Sequence, residues 1–296
     1  MSRKELFQIL TIYTDAICQK DLKPIPIAPN ARITWNGNLT KLGVSPIWET
    51  PGRLRIPYRR ALVDPIWGSA LLRATVTNEV VQRGATAQEI MNPPPGKWWW
   101  FALRLKVENG LITEIEEIVS DVGFPGTPAS AMTIPDRIWD TVVPEAQRST
   151  AEELIKIADD YFSTVSGTIA WHEAPFHPEC NRYENGAPTT NAVFIPGSVG
   201  TGLLSPTLQG LVVTNRRFYV VDVALGVVAA IAKFTPPSRS TNITQGAVSA
   251  VIFEEFKIQD GLIRHIEAFF CVTGQEYSNW GTGPGSGPQD VQADAS

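Results

Sequence analysis

Two segments of the chain place apolar residues at the spacing of one helical face. In residues 3–20 and 151–166, apolar side chains recur three or four positions apart, with polar residues between them. This period is typical of a helix that buries one side. The apolar positions are Leu6, Ile9, Leu10, Tyr13 and Ile17 in the first segment, and Leu154, Ile157, Ala158, Tyr161 and Val165 in the second. We therefore expect two amphipathic helices.

Alternating apolar and polar residues flank two turn dipeptides further along the chain. Asn109-Gly110 and Asp260-Gly261 both accept the positive φ angles of a two-residue type I′ turn. The segments on either side alternate in hydrophobicity, as half-buried strands do. The sequence therefore predicts a β-hairpin at each dipeptide.

The helices and hairpins belong to a repeat that runs through most of the chain. Three matches occur in the same order at offsets of 149 to 158 residues, which is hard to obtain by chance. The matches are Pro26 to Asn36-Gly37 with Pro175 to Asn185-Gly186, Arg59-Arg60 and Asp64 with Arg216-Arg217 and Asp222, and LKVENGLI at 105–112 with FKIQDGLI at 256–263. We therefore expect two equivalent units.

The repeat divides the chain into four parts. We predict a first unit at 1–120, a linker at 121–150 with a helical turn around 135–139, a second unit at 151–280, and a disordered tail at 281–296. The tail is rich in Gly, Pro and polar residues and has nothing to bury. Stretches rich in Pro and Gly at 40–57 and 185–210 are typical of loops. The expected fold class is α+β, with an N-terminal helix packed on a curved antiparallel sheet in each unit.

Four strings of the sequence resemble those of a known family. They are PIPIAPNARITWNG, FALRLKVENGLITEIEEIVSD, FHPECNRYENGAPTTN and FYVVDVALGVV. With the duplicated plan, they are similar to an uncharacterised two-unit family of bacteria and fungi in the SnoaL-like branch of the nuclear-transport-factor-two-like superfamily. The resemblance covers residues 3–280 and implies tandem α+β cones, each with a pocket between helices and sheet. That superfamily hosts cyclases, isomerases, dehydratases, epoxide hydrolases, lyases and binding proteins, so the fold leaves the function open.

Composition and charge narrow the class of function. The 296 residues are 43% hydrophobic and 19% charged, and carry a net charge of −5 without a basic run. We therefore expect a globular protein that binds no nucleic acid. No stretch approaches the roughly 20 apolar residues of a membrane span, so we expect no membrane partner and a cytoplasmic location. Three cysteines without paired spacing predict neither a disulfide framework nor a zinc site.

Glu254 is the leading candidate for a catalytic residue. At an offset of 151 residues it stands opposite Leu103, and it is in phase with Phe256 and Ile258 on a predicted strand. Its carboxyl group is therefore expected on the apolar face, where burial raises the pKa and allows general acid or base chemistry near neutral pH. The alternative is an ion pair inside the cone with an arginine such as Arg217.

Two of the three histidines are further catalytic candidates. His265 and Glu267 lie two apart on a predicted strand and so share a face. They form an acid–base dyad there, or the face is solvated or forms a seam between the units. His172 follows the second helix at the expected rim of the cone and is a candidate proton shuttle. No acidic cluster at metal-ligand spacing accompanies these residues, so we expect no metal.

Aromatic side chains supply most candidates for substrate binding. In the run WWWF at 98–101, strand alternation places one pair of rings in the pocket and the other pair against the partner unit or a second subunit. The alternative is that all these rings fill the core between the units. A tyrosine hydroxyl in the cavity would hydrogen-bond a carbonyl or enolate oxygen. The candidate substrate-binding residues are Trp99, Phe101, Tyr161, Tyr183 and Arg217.

The sequence predicts an enzyme that works without a cofactor, because it lacks the loops that bind nucleotides or dinucleotides. We expect a cyclase, isomerase or dehydratase of a hydrophobic small-molecule intermediate. A pericyclase such as a Diels–Alderase is its most concrete form, since an apolar cage for ring closure needs few catalytic groups. The alternatives are a non-catalytic small-molecule binding protein and a lyase or hydrolase using activated water. Glu254 and all three histidines lie in the second unit, so we expect the principal cavity there, in a monomer or homodimer.

Overall fold

The computed structural model describes most of the chain, in ranges separated by gaps. These ranges are residues 1–79, 86–91, 96–122, 127–132, 134–190, 211–235, 249–273, 280 and 283–284. Within them the chain forms two β-sheets, and an amphipathic helix precedes each sheet.

The first unit consists of the elements from α1 to β6. These are α1 (Arg3–Gln19), β1 (Ile27–Trp35), β2 (Asn38–Leu39), α2 (Pro46–Glu49), β3 (Arg55–Asp64), β4 (Ser69–Thr77), α3 (Ala87–Met91), β5 (Trp98–Glu108) and β6 (Leu111–Ser120). The strands pair in the order β2-β1-β6-β5-β4-β3. Helix α1 begins at a capping box, in which the Glu5 amide donates to the Ser2 hydroxyl at 3.3 Å and the Ser2 amide donates to the Glu5 carboxylate at 2.7 Å.

The second unit consists of the elements from α4 to β12. They are α4 (Ala151–Val165), β7 (Phe176–Glu184), β8 (Ala187–Pro188), β9 (Val212–Asp222), β10 (Val227–Thr235), β11 (Ser249–Gln259) and β12 (Leu262–Thr273), followed by β13 (Gly283–Pro284). The order is β13-β9-β10-β11-β12-β7-β8, so that β7 to β12 repeat the arrangement of β1 to β6. Thr150 and Glu153 form a capping box at the start of α4, as Ser2 and Glu5 do for α1.

Short 3₁₀ helices connect these elements. They span Ala129–Ala131, Arg137–Asp140, Glu145–Gln147 and Trp171–Glu173. The second of them overlaps the helical turn predicted around 135–139. The proposed limits of the units, 1–120 and 151–280, and of the linker, 121–150, stay predictions.

Three sequence-based expectations need correction. Both sheets are mixed rather than antiparallel, because β1 runs parallel to β6 and β7 runs parallel to β12. These pairings join segments far apart in sequence, so local turn chemistry does not set their direction. The stretch 40–57 is not all loop, since it holds α2 and the start of β3. In the tail, 283–284 pair with β9, and the rest of 281–296 lies outside the described residues, as does most of 185–210.

Both predicted hairpins are confirmed. Glu108 faces Leu111 across the first turn, and Gln259 faces Leu262 across the second. Asn109 and Asp260 have φ angles of 52° and 57°, which the type I′ turn requires of its first central residue.

Three apolar layers hold the two sheets and their helices together. Helix α1 packs on one face of the first sheet, and α4 packs on one face of the second. A third layer lies between the other faces of the two sheets and contains residues of both units, among them Leu71, Trp100, Ile231 and Phe269. Because β4 and β10 are covered on both faces, nearly every side chain along them is buried. We call this third layer the seam.

Candidate functional site

Glu254 lies on the face of the second sheet that α4 covers. It stands on β11 between Ala230 of β10 and Ala268 of β12. Only 2% of the residue is exposed. Burial raises the pKa of the carboxyl group to about 8, although a hydrogen-bonding contact with Tyr161 and the charge of Arg182 oppose the shift. Its Oε2 atom has no hydrogen-bond partner among the described residues. Glu254 is therefore a buried acid that is protonated at neutral pH, and within the described part of the chain one of its oxygens accepts no hydrogen bond.

Tyr161 reaches Glu254 from the buried stripe of helix α4. The residue is 1% exposed, and its ring lies within 5.1 Å of the Phe256 ring and 5.5 Å of the Phe162 ring, measured between centroids. Burial, followed by the charge of Glu254, raises the pKa of the hydroxyl well above its usual value. Tyr161 therefore stays protonated and can donate a hydrogen bond.

Arg182 reaches the same cluster from strand β7. It is 2% exposed, and its Nε donates to the Thr189 hydroxyl at 2.9 Å and lies 3.4 Å from Glu184 Oε1. Burial opposes the charged form, but Glu184, Tyr161 and Glu254 outweigh it and raise the pKa of Arg182 above its usual value. The cluster of Glu254, Tyr161 and Arg182 thus combines a neutral acid, a hydroxyl donor and a fixed positive charge.

The first unit holds a matching cluster that the sequence interpretation missed. Glu117 of β6 is 3% exposed, and its Oε1 accepts from the Tyr13 hydroxyl at 2.9 Å and from Trp48 Nε1 at 3.0 Å. Burial raises its pKa, although the nearby Ser45 hydroxyl and the hydrogen bonds from Trp48 and Tyr13 reduce the shift. The sequence contained the signal for this cluster. The repeat offset of 151 residues aligns Glu117 with the apolar Ala268, just as it aligns Glu254 with the apolar Leu103.

Two asparagines of the repeated Asn-Gly pair tie down the ends of strands. Asn36 accepts from the Val119 amide at 2.8 Å and donates to the Val119 carbonyl at 3.0 Å. Asn185 accepts from the Phe270 amide at 2.9 Å and donates to the Phe270 carbonyl at 3.0 Å. Asn36 also donates to Cys271 Sγ of the second unit at 3.2 Å, and Asn185 donates to the Val122 carbonyl, just after β6, at 3.0 Å. These asparagine clamps account for the recurrence of the motif in both units.

A cavity of about 360 Å³ lies where the ends of β6 and β12 meet, and we call it the strand-end cavity. Its lining includes Trp35, Pro46 and Trp99 of the first unit and Phe270 and Cys271 of the second. Trp99 also lines this cavity, and its role in substrate binding stays a prediction. Phe101 instead is fully buried in the core beneath α1.

His265 and Glu267 share a face of β12, as alternation predicts, but that face lies in the seam. Glu267 forms an ion pair with Arg73 and accepts from Trp139 Nε1 at 3.2 Å. The His265 ring is stacked on Tyr183 at 5.3 Å between centroids, and burial lowers its pKa to about 4. Since Glu254 faces α4, the structure places both residues on the opposite side of the sheet from it.

Arg217 also lies in the seam and does not pair with Glu254. Its NH1 and NH2 groups each donate to Glu116 at 2.8 Å, and NH1 donates to the Tyr219 hydroxyl at 2.7 Å. Strand alternation explains the correction, because the next residue, Phe218, takes the position facing α4. Arg217 joins the two units and is fully engaged there.

The remaining sequence-predicted residues lie apart from Glu254. His172 is exposed in the 3₁₀ helix that follows α4. Tyr183 is half-buried against His265. That the second unit holds the principal cavity stays a prediction, since 191–210 and 236–248, which join strands of that unit, lie outside the described residues.

Two further observations concern the described residues as a whole. No helix in them combines the length and the apolar character that a membrane crossing requires. In the same part of the chain, no three His, Cys, Asp or Glu side chains are grouped in a way that could hold a metal ion.

Comparisons with known proteins give low similarities. AclR from Streptomyces galilaeus is 17% identical with a TM-score of 0.29, covering 49% of this chain and 92% of that one. AusH from Aspergillus nidulans is 13% identical with a TM-score of 0.28, covering 41% and 86%. An LEH-like epoxide hydrolase of M. tuberculosis is 13% identical with a TM-score of 0.26, covering 40% and 84%.

Structural likeness at these TM-scores does not define a function for the chain. The search among curated proteins found no match. Among protein families, residues 147–270, which span nearly all of the second unit, match the model described as a domain of unknown function (DUF8021).

Proposed function

We propose that the protein is a cofactor-independent enzyme that moves a proton on a hydrophobic small molecule, with Glu254 as the general acid and base. The observation that carries this proposal is the state of Glu254, which is buried, has a pKa of about 8 and has an Oε2 atom without a partner among the described residues. Leaving such a group inside an apolar core is costly unless it is used. A carboxyl group with a pKa near the working pH suits both halves of a proton transfer.

Tyr161 and Arg182 supply the stabilisation that the proton transfer needs. When the Glu254 carboxylate removes a proton from carbon next to a carbonyl group, negative charge develops on the carbonyl oxygen. A hydroxyl donor and a fixed positive charge in a buried site stabilise such an oxyanion strongly. Return of the same proton to another carbon completes an isomerisation, and its delivery to a departing hydroxyl completes a dehydration.

The cluster of Glu254, Tyr161 and Arg182 suits three kinds of reaction that proceed by acid–base catalysis, namely isomerisation, dehydration and cyclisation. The resemblance of the chain's motifs to SnoaL-like proteins supports the same range. A pericyclase would use the site as a cage and would need no proton from Glu254. The two mechanisms therefore differ in how strongly they depend on this one side chain.

Hydrogen–deuterium exchange into a bicyclic ketone tests the proposal. The protein is incubated with 2-tetralone in D₂O, and mass spectrometry follows deuterium entering the carbons beside the carbonyl group. We expect acceleration by the native protein and a loss of about 100-fold in Glu254→Gln, the usual contribution of a general base. Glu108→Gln is the matched control, because Glu108 is an exposed carboxylate beside a hairpin turn.

Two results would count against the proposal. One is exchange that the native protein does not accelerate. The other is equal exchange by the native protein and Glu254→Gln, which would assign any activity to a cage without proton transfer.

A further inference from the structure

We propose that the strand-end cavity is a ligand site of its own, which takes a neutral, flat aromatic molecule. Glu254 is not among the described residues that line this cavity. The inference therefore does not depend on the proposed catalytic role of Glu254, and binding alone can test it.

The walls of the cavity suit a flat ring system. The indole rings of Trp35 and Trp99 come from the first unit, and Phe270 faces them from the second. Aromatic rings favour stacked or edge-to-face contact with another ring. A volume of about 360 Å³ falls at the lower end of the range for small-molecule sites, which suits a ligand of two or three fused rings.

The charges around the cavity favour a neutral ligand. Asp121 is the charged side chain among the described residues that line it, and no lysine, arginine or histidine lies among them. The Cys271 thiol is also uncharged at neutral pH, since burial raises its pKa to about 11. An anionic ligand would thus meet a carboxylate and no compensating cation.

Most polar groups in the lining already bond to the protein. The Asn36 side chain is used in its clamp on Val119. The Ser120 hydroxyl donates to the Val122 carbonyl at 3.1 Å and accepts from the Val122 amide at 3.2 Å. Trp35 Nε1 lacks a hydrogen-bond partner among the described residues, but it is itself enclosed, so a molecule in the cavity does not reach it. The lining therefore offers a ligand mainly aromatic and aliphatic surface.

A pair of naphthalenes that differ in charge tests this assignment. 2-Acetylnaphthalene and 2-naphthoate have similar shapes, but only the ketone is neutral at pH 7. In calorimetric titrations of the full chain we expect the ketone to bind about 5-fold more tightly, because the carboxylate of naphthoate would lie near that of Asp121. Asp121→Asn keeps the shape of the side chain but removes its charge, so the preference should disappear. Glu108→Gln, which changes an exposed carboxylate outside the lining, should keep it.

Alkylation of cysteine locates the bound ketone. Cys271 lines the cavity and Cys18 does not, so the ketone should slow the reaction of iodoacetamide with Cys271 and leave Cys18 unchanged, as read by mass spectrometry. Glu254→Gln should bind the ketone as tightly as the native protein. The proposal is overturned if neither probe binds, if Asp121→Asn keeps the preference, if Cys271 is not protected, or if Glu254→Gln abolishes binding.

Discussion

Glu117 and Glu254 belong to equivalent cross-strand pairs of the two sheets, but they are opposite members of those pairs. In the first sheet Glu117 of β6 faces Leu103 of β5, whereas in the second sheet Glu254 of β11 faces Ala268 of β12. Both carboxyl groups lie beneath the tyrosine at the same place of the preceding helix. Each unit thus places a buried acid beneath its helix, but the two acids come from different neighbouring strands, whose spacing is about 4.8 Å.

The buried carboxyl of Glu254 makes stability fall as the pH rises. Its pKa is about 8 in the folded chain, against 4.5 for the free group, so the unfolded chain loses this proton first. The stability that the neutral carboxyl contributes is complete below pH 4.5 and is lost as the pH rises through about 8. Glu254→Gln lacks this loss, so its urea midpoint relative to the native protein should climb between pH 5 and pH 8.

The expected gain at pH 8 is of the order of a few kcal/mol, since each unit of pKa is worth about 1.4 kcal/mol. Glu108→Gln, which changes an exposed carboxylate, should show no such trend. A difference between Glu254→Gln and the native protein that does not vary with pH would mean that Glu254 is ionised in the folded chain.

The hydrogen bond from Tyr13 stabilises Glu117. Tyr13→Phe removes one of the two donors to Glu117 Oε1 and leaves Trp48 as the other. We expect a loss of about 1 to 3 kcal/mol in the free energy of unfolding, measured by urea denaturation, because a buried carboxyl loses a partner. Tyr183→Phe alters a half-buried tyrosine stacked on His265 and should cost clearly less. Equal losses would show that the hydrogen bond to Glu117 contributes nothing of its own.

The contribution of the Asn36 side-chain hydrogen bonds to stability can be measured separately from that of its positive φ angle. Asn36 and Asn109 both have positive φ angles, 48° and 52°, so replacement by glycine suits the backbone at both places. Asn36→Gly also removes two hydrogen bonds to Val119 and should cost about 1 to 3 kcal/mol. Asn109→Gly, in an exposed turn, should stay within about 0.5 kcal/mol of the native protein. Similar thermal midpoints for the two variants would exclude a clamp.

The ion pair between Arg217 and Glu116 holds the seam. Both side chains are almost fully buried, so Arg217→Met leaves a buried carboxylate without its partner. We expect a loss of about 3 to 5 kcal/mol in chemical denaturation. The exposed pair of Lys156 and Asp160 on α4 provides the comparison, and Lys156→Met should cost at most about 0.5 kcal/mol. A small loss at Arg217 would indicate that water or another cation replaces it.

Local features of the sequence predicted the helices and hairpins well. A 3.6-residue period and Asn-Gly or Asp-Gly dipeptides act over a few positions, so they can be recognised without the fold. The parallel pairing of β1 with β6 joins residues more distant than any turn, for example Trp35 and Glu117. The direction of this pairing depends on how the whole unit folds, so the local sequence pattern could not predict it.

Local sequence features likewise predicted only part of the candidate site. Glu254 was found because an acid in an apolar strand phase is visible in the sequence. Glu117 satisfies the same criterion, but its apolar counterpart is the small Ala268, which draws less attention than Leu103. Arg217 was expected inside the cone, because the sequence did not show which of the adjacent residues Arg217 and Phe218 faces α4; alternation puts Phe218 there and Arg217 in the seam.

The ion pairs of the seam make each half of the molecule depend on the other. Arg60 of the first unit lies 3.0 Å from Glu255 of the second, and Arg217 of the second unit pairs with Glu116 of the first. A fragment containing only one half would keep the core beneath its own helix, but it would expose the aromatic rings and other apolar side chains of the seam to water. The duplicated chain is therefore not a string of autonomous modules. A substitution that alters charge on one side of the seam can be accommodated only by a matching change on the other, so the two halves are bound to vary together.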